Sequence, residues 1–96
     1  RSSAWRFAMP ADPQAIAAEL IALGYASRSV AVGAALLGAG DAIGHMLLPD
    51  HAPSLEAWRQ DAHRCLDTAL ARTRSPCVVA AVTAALSWLG TQRGQS

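Results

Sequence analysis

The chain has 96 residues, enough for one domain near the small end of the usual range, and its 52% apolar content is dominated by Ala and Leu, which favours helix over sheet. All eight cations are arginine, scattered from Arg1 to Arg93, and a net charge of +1 gives no electrostatic case for nucleic-acid binding. No apolar run reaches membrane-spanning length without interruption, and the N-terminus lacks the continuous apolar stretch of a signal peptide, so residues 1–96 read as a single cytoplasmic all-α domain. The charged fraction of 16% is low beside that apolar content, which leans towards a chain that hides surface against a partner.

Residues 1–11 show no periodicity, and Trp5 and Phe7 are expected to tuck onto the helices. Asp12-Pro13 then reads as an N-cap followed by proline at the first helical position. The helix it opens, 12–24, carries Ile16, Leu20 and Leu23 on one face and is expected to end at Gly24 in a left-handed C-cap. After a short turn, with Ser27 or Ser29 as cap, a second helix runs over 29–48. It holds four of the seven glycines. Val30, Gly33, Leu37, Gly40 and Gly44 fall along one ridge of it, and each interior glycine costs roughly 1 kcal/mol relative to alanine, so close helix packing is expected there.

Pro49 to Pro53 forms a proline-bracketed loop, and Ser54 is placed to cap a third helix over 54–73. That helix is the most clearly amphipathic segment. Leu55, Trp58, Ala62, Cys65 or Leu66, and Ala69 or Leu70 follow the helical period, with Glu56, Arg59, His63, Arg64 and Asp67 opposite. Ser75-Pro76 opens a fourth helix, 75–90, that is apolar nearly all round and ends at Gly90, leaving a frayed polar tail over 91–96. Such a helix is either buried or waiting for a partner. The expected architecture is two antiparallel hairpins, 12–24 with 29–48 and 54–73 with 75–90. That describes either a four-helix bundle or a short helical-repeat unit.

Candidate chemistry is sparse. Gly38, Gly40 and Gly44 are spaced G-x-G-x-x-x-G with no preceding strand, so they read as packing glycines rather than a dinucleotide fingerprint. Asp41 with His45, and His63 with Asp67, stand four apart and would need to converge from two helices to hold a metal; solvated polar positions account for them equally well. Cys65 and Cys77 read as small core residues rather than a disulfide. Cys77 stands near a helix start, which activates a thiol only where it is exposed, and burial is the expectation. No catalytic, metal or cofactor residues are assigned, and the chain reads as a non-enzyme.

The run from AIAAEL to LDTAL resembles the C-terminal helical-repeat region of bacterial STAND-type signalling ATPases and regulators carrying a LuxR-type DNA-binding domain. Ala34, Leu36, Leu37, Gly38, Ala39, Asp41 and Ala42 match that family's Ala-rich helix; Pro49 and Pro53 match its loop, and Leu55–Leu70 its following amphipathic helix. ARTRSPC replaces the family's aromatic-plus-glycine element, and no ATPase or helix-turn-helix segment is present. The resemblance implies a non-catalytic interaction or regulatory module, similar to tetratricopeptide units, that binds a protein partner, a neighbouring domain or a copy of itself. A lesser resemblance, to the ubiquitin-associated-type three-helix fold, covers 14–48 through Ile16, Leu20, Leu23, Gly24 and Tyr25 but leaves the last two helices unexplained.

The candidate contact residues are therefore Tyr25, Trp58, Arg59, His63, Arg64 and Trp88. The alternative is a small-ligand-binding bundle in which Trp58 and Trp88 wall an apolar pocket and Arg64 or His63 addresses a polar head group.

Overall fold

The computed structural model describes residues 12–48 and 55–94; the expectations placed on Trp5, Phe7, the Pro49–Pro53 loop and the Ser54 cap lie outside them. Four helices account for nearly all of it: α1 (Pro13–Ala26), α2 (Val30–Met46), α3 (Leu55–Arg72) and α4 (Pro76–Gly94). The starts of α1, α2 and α4 are legible in local chemistry. The Asp12 carboxylate accepts the Gln14 N–H at 3.1 Å, with Pro13 in the first turn. Ser29 caps α2 by accepting the Val32 N–H at 3.2 Å, and Ser75 caps α4 by accepting the Val78 N–H at 3.4 Å. These side-chain acceptors satisfy amide donors that have no partner within the helix.

Two helix ends differ from expectation. Gly24 does not cap α1, which continues to Ala26, and no glycine among the described residues has a positive φ. The reason is packing: a Cβ built on Gly24 would lie 2.8 Å from Leu37 Cγ, so the missing side chain admits α2 rather than a turn. Gly90 likewise stays helical, and α4 extends through Gly94 across what reads as a polar tail. The Thr91 hydroxyl donates to the Trp88 carbonyl at 2.6 Å and ties that last stretch back.

The glycine contacts set the pairing. Gly24 meets Gly33 and Leu37, while Gly40 meets Ala17 and Ile21, so α1 and α2 run antiparallel. Gly38 meets Cys65, and His45 stacks on Trp58, so α2 and α3 run antiparallel as well. The expected glycine ridge is therefore real over Gly33, Leu37 and Gly40 and fails at both ends: Val30 is 87% exposed, and nothing among the described residues lies near a Cβ built on Gly44. α2 packs extensively on α1 and α3, and α4 packs on α1 and α3 over thinner contacts. The order α1–α2–α3–α4 closes on itself, which is a bundle arrangement.

Leu20, Leu36, Ile43, Leu66, Val82 and Leu89 are the large fully buried side chains, and every helix supplies at least one. Each is worth about 1.5–3 kcal/mol relative to exposure. Alanines fill the remaining core, and among the described residues no polar or charged side chain is buried. On α3 the face resolves as Ala62, Leu66 and Ala69, leaving Leu70 38% exposed and Cys65 only half-buried. Among the described residues no helix is long and apolar enough to cross a membrane.

Candidate functional site

The six candidate contact residues do not form one constellation. Arg59, His63 and Arg64 share the outer face of α3, where they line a shallow depression with Gln60, Asp67 and Thr68. Each of these three faces a carboxylate on the same helix. Arg59 Nε donates to Glu56 Oε1 at 2.9 Å and the guanidinium also reaches Oε2, an interaction that holds Arg59 above its ordinary pKa. Arg64 pairs with Asp61, and His63 Nδ1 lies 3.0 Å from Asp67 Oδ2. Exposed pairs one helical turn apart are weak contributors to stability. Arg59 is largely covered, at 14% side-chain exposure, and the rest of this face is solvated, each cationic or imidazole group facing a carboxylate on the same helix.

Trp58 and Trp88 are half-buried against the core. Trp58 also stacks on His45, with ring centroids 4.2 Å apart and planes 13° from parallel. His45 Nδ1 lies 2.8 Å from the Asp41 carbonyl oxygen, which fixes the ring for that stack and ties the end of α2 to the start of α3. Tyr25, 79% exposed, belongs to the opposite end of the bundle, next to the start of α2. Gly33 and His45 mark those two ends and are about 18 Å apart along α2.

The two Asp/His pairs stay separate. Asp41 and His45 belong to the α2 end beside Trp58, whereas His63 and Asp67 lie on the outer face of α3. Among the described residues no group of three or more His, Cys, Asp or Glu side chains is placed to hold a metal ion. The cysteines are free. Cys65 is half-buried, and burial pushes its thiol above the ordinary value; Cys77 is exposed, contrary to its expected place in the core. The reason is register. The buried stripe of α4 runs through Val78, Ala81, Val82, Ala85 and Leu89, which turns Cys77 and Val79 outward.

One concavity is one the expectations missed. A cavity of about 570 Å³ opens between the α1–α2 turn and the α3–α4 turn. Its apolar wall comes from Leu23, Val32 and Val78, and its cationic side chains are Arg28, Arg72 and Arg74. Hydroxyls brace both turns. Ser27 accepts the Ser29 N–H at 3.1 Å and donates to the Ser29 carbonyl at 3.0 Å, and Thr73 accepts the Ser75 N–H at 3.1 Å. The signal was present in the sequence: Arg28 stands in the first turn and Arg72 and Arg74 at the last. An up-and-down bundle brings its first and third turns to the same end.

No family model, curated protein or solved structure matches this chain.

Proposed function

We propose that this chain is a non-catalytic interaction domain, of the kind found in helical regions of bacterial regulators, that pairs with a second copy of itself through the outer face of α4. The observation that carries this reading is the absence of charge on a solvent-facing helix. From Pro76 to Gln92 there is no charged side chain, yet Cys77, Val79, Ala80, Thr83, Ala84 and Ser87 are all exposed. The outer face of α3, by contrast, carries Glu56, Arg59, His63, Arg64 and Asp67. An uncharged helix face built of small side chains is self-complementary. Two copies related by a twofold axis meet without like-charge repulsion, and Ala80, Ala84 and Gly90 allow close approach of the backbones.

The test is the solution mass by light scattering over a concentration series, for the wild type and for Ala84→Arg. The expected result is a concentration-dependent dimer that Ala84→Arg converts to monomer with its helical circular-dichroism signal intact. A wild type that stays monomeric throughout the series, or an Ala84→Arg variant that dimerises as well as wild type, rejects this surface as the site of self-association.

A further inference from the structure

At the opposite extreme of polarity from the α4 face lies the end of the bundle where the two turns meet. Every other arginine whose side chain is described is paired: Arg59 with Glu56, and Arg64 with Asp61. Arg28, Arg72 and Arg74 have no carboxylate at ion-pair distance among the described residues, and all three border the same cavity. Among the described residues no acidic side chain lines it. Three permanent cations held close together repel one another, and a bound anion removes that repulsion; the planar guanidinium also matches a carboxylate or phosphate with paired hydrogen bonds. The dipoles of the neighbouring helix ends offset one another, since α1 and α3 finish where α2 and α4 begin, so the arginines dominate the field.

The wall of the cavity is of the other character. Val32 and Val78 are buried and Leu23 is partly buried, so an apolar body entering beneath the arginines meets aliphatic carbon. A volume of about 570 Å³ is within the usual range for small-molecule sites, which are mostly apolar with a few convergent polar groups. We infer that the cavity between the α1–α2 and α3–α4 turns binds a small amphipathic organic anion, its carboxylate or phosphate head held by Arg28, Arg72 and Arg74 and its aliphatic body against Leu23, Val32 and Val78. Inorganic phosphate alone gains only the head, and a neutral alcohol only the body; the pair together define the ligand.

The experiment is an NMR titration of the ¹⁵N-labelled chain with decanoate and, separately, with decyl phosphate, using decanol and inorganic phosphate as controls. Saturable shifts confined to the amides of 26–32 and 72–78, stronger for the amphipathic anions than for either control, are expected. The tighter of the two anions names the head group. The double substitution Arg28→Gln and Arg74→Gln removes exposed side chains and leaves the core untouched, so its amide spectrum stays that of a folded bundle. Its affinity for the better anion falls by roughly tenfold or more. Three results overturn the inference: decanol binding as tightly as the anions, shifts that follow the outer face of α4 in place of the two turns, or a folded double variant that binds like wild type.

Discussion

A glycine inside a helix is a cost that only its surroundings can offset, and α2 carries glycines of both kinds. At Gly40 a Cβ would lie 2.6 Å from Ile21 Cγ1 and 3.0 Å from the Ala17 carbonyl oxygen. The backbone atom cannot move aside without shifting α1. At Gly44 nothing among the described residues lies within 4 Å of the same position. Gly40→Ala is therefore expected to destabilise the fold by about 1–3 kcal/mol through overpacking, despite the helix propensity it gains. Gly44→Ala is expected to stabilise it by about 0.5–1 kcal/mol. Urea-unfolding midpoints of the two variants beside wild type decide the matter; equal shifts of the same sign would mean that the α1–α2 approach is looser than these distances imply. Periodicity placed both glycines on one ridge. It could not separate them, because the ridge outruns the partner helix.

Among the helices, the starts of α1, α2 and α4 were legible, and the ends of α1 and α4 were not. Asp12-Pro13, Ser29 and Ser75-Pro76 announce their helices through side chains that bond to amides two or three residues on, which is local chemistry. Ser29→Ala removes the acceptor of the Val32 amide and is expected to cost about 1 kcal/mol, read as a lower thermal midpoint with the same folded-state helix content. No loss on substitution would mean that water or Ser27 serves that amide as well. Gly24 and Gly90 were expected to stop α1 and α4 because glycine readily adopts the left-handed conformation. Neither does, since at Gly24 a long-range contact with Leu37 uses the missing side chain instead. The same limit explains Cys77. An apolar helix offers several equivalent faces, and only the docking of α4 against α1 and α3 selects Val78 and Val82 over Cys77 and Val79.

Across the whole molecule, the packing is uneven. α2 is sandwiched between α1 and α3, while α4 closes the ring over thinner contacts and exposes a long uncharged face. Hydrogen exchange at a concentration where the chain is monomeric is expected to reflect this. Amides of α4 should open through a lower-energy, sub-global step, whereas those of Leu36–Ile43 in α2 exchange only with global unfolding. Uniform protection over both helices would make the bundle a single cooperative unit. Pairing of two copies through α4 would add protection to α4 alone as concentration rises, so one experiment also tracks the proposed self-association.

The all-α class, the four helices, the capped starts of α1, α2 and α4 and the amphipathic face of α3 follow from the sequence alone, because each depends on residues within a turn or two of one another. The two helix hairpins follow as well, since three-residue turns keep successive helices together, although the angle between them is set by packing. What only the tertiary structure decided is everything that depends on which faces meet. It made Gly24 a packing residue, placed Trp58 on His45, turned Cys77 outward, and gathered Arg28, Arg72 and Arg74 around one cavity. Along the chain those arginines are scattered among eight; in space they share one end of the bundle, because alternate turns of an up-and-down fold must return to the same side.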